Sequence, residues 1–372
     1  MEKTDLLFPM FIASSNGGMQ RVVISLIRRI SDYGVYRPIL LCFSDSDLYE
    51  YACQNYVECI GIKAPFGIKG WIKFMYEYYG LVHKFRGRVV INDIFSHILL
   101  FLYPWRKKEI FVSHGGDYKS HGREFAAKSG RAAKIAKITF KRVAQFIAVS
   151  PTQKEALVFN AGVSDAKVKV ITNGFDRPSC INVKTNISAH RKHICMVGYI
   201  KPLKNQLEII KAINLLIKKG KDCVLHIYGS VSDAKYEAEI LDYVANNNLK
   251  NNVIFYGFCS DKDKIYSNKD MLISASFHEG FGLNIIEAMA YGVPTIAFEG
   301  SKGPASIIIN NKTGLLAHVN SAEQYAELIE KYIGNESFRQ SIVHNAMEEY
   351  LKKYSMHTMV ENYIRAFNLI YI

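Results

Sequence analysis

Short apolar runs with strand character alternate with helical stretches along all 372 residues, and this alternation constrains the fold more than any single residue. In the first half the strand-like runs are Leu6–Ala13, Arg37–Phe43, Arg88–Asn92, Glu109–Ser113, Gln145–Val149 and Lys167–Ile171, with helices such as Gln20–Tyr33 between them. In the second half they are His193–Val197, Cys223–Tyr228, Val253–Tyr256, Met271–Ala275 and Val293–Ala297. Such alternation predicts α/β architecture with parallel, doubly wound sheets, whose ligands sit beyond the carboxyl ends of the strands. A chain of this length exceeds one ordinary core, so two domains are expected. Residues 173–192, NGFDRPSCINVKTNISAHRK, are polar and aperiodic and mark the boundary, giving domains at 1–175 and 190–354 and a terminal amphipathic helix at 355–372.

Several classes of protein are disfavoured by composition. No apolar run reaches the roughly 18 residues of a membrane span, and the longest, Leu6–Ala13 and Ile98–Trp105, are broken by Pro9 and Pro104. The first lacks the cationic start and small-residue cleavage site of a signal peptide and reads as a strand. The seven cysteines are scattered, with no C-x-x-C pair, which suggests reduced thiols in a cytoplasmic protein. Charge is uneven: residues 1–180 hold 26 Lys and Arg against 15 Asp and Glu, or +11, while residues 181–372 hold 21 against 19, or +2. The basic residues lie among aromatics at 67–88, 101–108 and 131–142, a mixture suited to an anionic membrane surface; ordinary solvated helix faces are the alternative. Nucleic acid is not an expected partner, since no zinc finger, RNP motif or helix-turn-helix is visible.

Residues 276–298, SFHEGFGLNIIEAMAYGVPTIAF, place Glu279 ahead of a glycine-containing turn and Glu287 within an almost wholly apolar helix. Met271–Ala275 reads as a buried strand, Gly280 and Gly282 allow a sharp turn, and Leu283–Tyr291 reads as a helix closed by Gly292. The first N–H groups of that helix lack intrahelical partners and carry the positive end of its dipole, which suits a phosphate or a sugar hydroxyl. The helical neighbours of Glu287 offer neither a solvated face nor a cation, so a ligand such as a diol is expected to satisfy it.

The segment EGFGLNIIE resembles the E-x7-E signature of retaining glycosyltransferases of the GT-B fold, and the resemblance extends over essentially the whole chain. It implies two Rossmann-like domains facing a cleft, with the C-terminal helix crossing back to the first. It further implies that Glu279 faces the donor hexose, that Phe281, Gly282 and Leu283 offer backbone amides to sugar and phosphate, and that Glu287 grips the ribose hydroxyls. SSNGGMQRVVISL (14–26) resembles the family's glycine-rich first loop, with Gly17 and Gly18 allowing close backbone approach. SHGGD (113–117) puts His114 where the family has a histidine near the hexose, and ITNGFD (171–176) resembles the link into the second domain, with Asn173 and Gly174 read as turn chemistry.

One loop departs from the pattern. In MVGYIKPLKNQLEIIKA (196–212), Lys204 fits the family's lysine, but Tyr199 stands where relatives carry the arginine that neutralises the diphosphate. Lys201, or the Tyr199 hydroxyl, is the available substitute. Ser306 likewise stands where relatives often have an acidic residue. The sequence offers no metal-binding D-x-D for the diphosphate, so its charge falls to Lys204 and to helix N-termini, and neither metal nor cofactor is expected. Glu279 and His114 would orient the hexose; with no second carboxylate for a glycosidase-like pair, Glu279 is not read as the nucleophile. The expected partners are a nucleotide-sugar donor (UDP favoured, GDP-mannose the alternative), a glycan or lipid-linked acceptor of the lipopolysaccharide or capsule kind, and the inner membrane surface. A soluble sugar-nucleotide enzyme such as an epimerase or polysaccharide synthase, or an inactive lipid- or partner-binding scaffold, are the competing readings.

Overall fold

The computed structural model describes residues 3–12, 17–102, 109–114, 139–177 and 191–368. They form two compact units, one running to Gly174 and rejoined by the helix from Met356, the other Phe175–Ser355.

The N-terminal unit alternates β1 (Thr4–Pro9), α1 (Gly18–Asp32), β2 (Tyr36–Phe43), α2 (Asp47–Gln54), β3 (Cys59–Ile62), α3 (Gly67–Lys84), β4 (Arg88–Ile91), α4 (Ile94–Phe101), β5 (Glu109–Ser113), β6 (Gln145–Ala148), α5 (Pro151–Glu155) and β7 (Val168–Val170). The strands form one parallel sheet in the order β3-β2-β1-β4-β5-β6-β7. Leu6, Leu7, Phe8, Val89, Val90, Ile91 and Val112 are buried, as strands covered on both faces require. The first strand starts earlier than Leu6 and stops at Pro9, so the expected extension does not form over residues 10–12, while Ala13 lies outside the described residues.

The C-terminal unit contains β8 (Lys192–Val197), α6 (Gln206–Lys218), β9 (Cys223–Tyr228), α7 (Ala234–Asn246), β10 (Val253–Phe255), α8 (Lys262–Tyr266), β11 (Met271–Ser274), α9 (Leu283–Ala290), β12 (Thr295–Phe298), α10 (Lys302–Ile307), β13 (Leu315–Ala317), α11 (Ala322–Gly334) and α12 (Glu336–Glu349). Its sheet, β10-β9-β8-β11-β12-β13, is also parallel. In each sheet the strand order reverses direction beside the first strand, between β1 and β4 and between β8 and β11. Those switch points open crevices at the carboxyl ends of the strands.

The last helix, α13 (Met356–Asn368), returns to the N-terminal unit and packs on α1. Its buried stripe of Met356, Met359, Val360, Tyr363 and Phe367 explains the amphipathic pattern read from the sequence. Phe367 meets Tyr36 edge-on at 5.6 Å, and the Gly174 N–H lies 2.9 Å from the Met359 Sδ. Tyr350 Oη donates to the Phe175 carbonyl at 2.7 Å, holding the start of the C-terminal unit against its end.

Candidate active site

The switch point of the C-terminal sheet gathers the acidic motif and the lysine loop. Beyond β8 the chain turns at Gly198 (φ +154°), and Gly229 (φ +158°) follows β9; a Cβ on Gly229 would stand 2.0 Å from the Gly198 carbonyl oxygen. Only glycine permits this approach. A short 3-10 turn, Pro202–Lys204, then leads through Asn205 in the left-handed region (φ 56°) into α6. From the neighbouring β11, the Phe277 N–H donates to the Leu203 carbonyl at 3.0 Å, tying the two loops together. The result is a direct contact between Lys204 Nζ and Glu279 Oε1, to which Ser276 Oγ also donates at 3.2 Å. Both charged side chains are largely enclosed, 14% and 20% exposed. The lysine and the carboxylate, 75 residues apart in the chain, therefore share one polar site.

The turn after Glu279 needs two glycines. Gly282 caps α9 at φ 108°, a conformation that L side chains rarely adopt. A Cβ on Gly303, in α10, would lie 2.5 Å from the Glu279 carbonyl oxygen and 2.8 Å from that of Phe281. Phe281 is buried against Tyr354, and Ser306 Oγ donates to the Gly303 carbonyl at 2.7 Å. Leu283 opens the helix, so its N–H is among those without an intrahelical acceptor.

Glu287 is buried, as its sequence neighbours require, and its neighbours on α9 supply no cation, but α8 does. Lys262 Nζ lies 2.6 Å from its Oε1, and Tyr266 Oη donates to its Oε2 at 2.6 Å. Burial and the adjacent carboxylate hold the Tyr266 hydroxyl protonated, its pKa raised well above the ordinary value. These partners come from α8, packed beside α9. The D-x-D spelling itself occurs twice, at Asp45–Asp47 and Asp261–Asp263. Ser46, within the first, caps α2 and Asp261 caps α8, while Asp263 accepts from Tyr291 Oη at 2.6 Å. Among the described residues no group of three or more His, Cys, Asp and Glu side chains converges to hold a metal.

The remaining candidates are more dispersed. Tyr199 is 44% exposed, its carbonyl accepts from Gln206 Nε2 at 2.9 Å, and Lys201 Nζ lies 6.0 Å from its ring centre. In the N-terminal unit, Gly17 caps α1 and Gly18 begins it with ordinary backbone angles at the cap, while residues 13–16 of that loop lie outside the described residues. His114, beyond β5, pairs its Nε2 with Asn92 Oδ1 at 3.0 Å, and burial lowers its pKa to about 4. Sequence reasoning missed Lys262, Tyr266, Ser276 and Gly303. The signal nearest to a clue was the four-residue spacing of Lys262 and Tyr266, which puts them on one helical face.

Two family profiles match, "Glycosyltransferase Family 4" over residues 16–177 and "Glycosyl transferases group 1" over residues 181–349. The chain belongs to these GT-B glycosyltransferases. A poly(ribitol-phosphate) alpha-N-acetylglucosaminyltransferase of Staphylococcus aureus (strain COL) is 28% identical over 55% of this chain and 43% of its own length. The capsular polysaccharide biosynthesis glycosyltransferase CapM of S. aureus is 26% identical over 62% of this chain and 63% of its own. The matches thus span less than two thirds of these relatives. Among solved structures, Anabaena Alr3699/HepE in complex with UDP and glucose superposes with a TM-score of 0.82 at 18% identity, covering 98% of this chain and 99% of that one. The lipopolysaccharide outer core galactosyltransferase WaaB superposes with a TM-score of 0.73 at 17% identity, over 98% and 99%. At such identities the likeness establishes the shared GT-B glycosyltransferase fold.

Proposed function

We propose that this glycosyltransferase moves a hexose or N-acetylhexosamine, with retention and without a metal, from a UDP-sugar to a lipid-linked or cell-surface glycan, working at the inner membrane surface. The observation that carries the reading is the meeting of Lys204, Ser276 and Glu279 at the switch point, next to the free N-terminus of α9. A cation and the leading N–H groups of α9, those of Leu283 and Asn284 ahead of the Ile285 N–H that donates to the Gly282 carbonyl, suit a departing diphosphate, and in a partly enclosed site their fixed dipoles stabilise charge as it develops. Glu279 would meet a hexose hydroxyl once the donor draws Lys204 toward phosphate. Glu287, held by Lys262 and Tyr266, has the chemistry to accept from a ribose diol. Phe281, Gly282 and Leu283 would supply the backbone amides, and Tyr199 with Lys201 would flank the diphosphate; Gly17, Gly18 and His114 are the sugar-binding candidates of the N-terminal unit.

The relatives' printed activities on poly(ribitol-phosphate) and in capsular polysaccharide biosynthesis, and the UDP in the Anabaena structure, support the donor and acceptor classes. The test is a product assay with a panel of nucleotide sugars and acceptor-bearing membrane extract, read by mass, with and without EDTA. Transfer from a UDP-sugar that survives EDTA, with the α configuration kept, is expected. Binding of UDP without transfer to any acceptor would favour an inactive scaffold.

A further inference from the structure

Helix α3 is apolar on both faces. Its inner face, Phe74, Tyr78 and Val82, packs into the N-terminal core. Its outer face carries Ile68 (82% exposed), Ile72 (65%) and Tyr76 (82%) at four-residue spacing, beside Trp71, and Phe66 just before the helix is 95% exposed. Soluble monomers rarely leave so continuous an apolar stripe in water. The stripe is bordered by charge of one sign: residues 63–86 hold Lys63, Lys69, Lys73, Lys84 and Arg86 against the single acid Glu77. The Trp71 ring packs edge-on against Phe74 and Phe95, at 5.7 and 6.2 Å, and is held in place. Aromatic and aliphatic side chains interleaved with lysines match the boundary between lipid headgroups and acyl chains.

Its place in the fold gives the stripe a purpose. β3 is the outermost strand of the N-terminal sheet, and α3 starts at its carboxyl end. The same sheet edge bears the Gly17–Gly18 turn after β1 and His114 after β5, because every strand is parallel. A second copy of the chain is a poor occupant, since a two-fold contact would set these cations against their own image.

We propose that the outer face of α3 docks on an anionic bilayer, with Phe66, Ile68, Trp71, Ile72 and Tyr76 entering the headgroup boundary and Lys69 and Lys73 meeting lipid phosphates. This rests on the membrane-borne acceptor proposed above, and it turns the edge holding His114 toward lipid-carried glycan. The experiment is co-sedimentation of the full chain with vesicles of phosphatidylcholine alone or mixed with phosphatidylglycerol, without donor or acceptor. The native chain should bind the anionic vesicles and be released by salt. Both Ile68→Ser/Ile72→Ser and Lys69→Glu/Lys73→Glu should lower partitioning by about tenfold. Variants that partition like the native chain, or binding indifferent to lipid charge, would overturn the assignment, as would a dimer in sedimentation velocity that the isoleucine variant dissolves. Calorimetric titration of UDP reports separately on the donor site: UDP binding retained without vesicle binding sinks only the docking, and vesicle binding without UDP binding sinks only the donor reading.

Discussion

Replacing Lys262 with Met tests the pair that holds Glu287. The carboxylate is 8% exposed, and its two oxygens are taken by Lys262 Nζ and Tyr266 Oη at 2.6 Å each. Methionine keeps most of the aliphatic stem but removes the cation, leaving a buried charge with one neutral donor. Breaking a fully buried pair in this way costs about 3–5 kcal/mol. The Lys262 side chain is 27% exposed, so water replaces part of the loss and about 2 kcal/mol is expected. Glu287→Gln should cost about 1 kcal/mol, because the amide oxygen still accepts from Tyr266 and the freed ammonium reaches solvent. The double variant should cost much less than the two singles together, since neither charge is then stranded. Hydrogen exchange of the Leu283–Ala290 amides measures the local opening free energy directly. A Lys262→Met chain opening within about 0.5 kcal/mol of the native, or a double variant equal to the sum of the singles, would refute the reasoning.

Glu279→Gln should lower kcat by about a hundredfold with the fold intact, and Lys204→Ala should weaken donor affinity and turnover together; native kinetics in both variants would remove these residues from the chemistry. Tyr199→Arg, at a half-exposed position, should keep or raise activity if the site faces the diphosphate, whereas an inactive but folded variant gives the tyrosine a role of its own. Gly303→Ala would press a methyl against two backbone carbonyls of the Glu279–Phe281 turn and should weaken UDP binding by about 1–3 kcal/mol; unchanged calorimetric affinity would show that the turn tolerates the shift. For pH, burial lowers both His114 and His226 to about 4, the latter with help from Lys269, His193 and Arg191. Their neutral forms are favoured in the folded chain, so this stability is complete above about pH 6.5 and is lost as pH falls toward 4. Histidine NMR titrations with midpoints near 6.5 would contradict it.

Local sequence determined much of this protein. Strand and helix alternation specified two parallel sheets, and the glycine spacing after Glu279 specified the turn that Gly282 makes in the left-handed region before a capped helix, because backbone conformation answers to immediate neighbours. The short edge strands Cys59–Ile62 and Leu315–Ala317 escaped notice, since so few residues carry too little periodic signal and their pairing comes from the adjacent strand. The D-x-D spellings showed the opposite limit, where a chemical motif became helix-capping geometry. Which aromatics of α3 face water, and that Lys262 reaches Glu287 across 25 residues of chain, were decided by tertiary structure alone. Exposure and charge pairing depend on what the rest of the chain packs against a helix face, and that long-range arrangement leaves no mark in the spacing of the residues concerned.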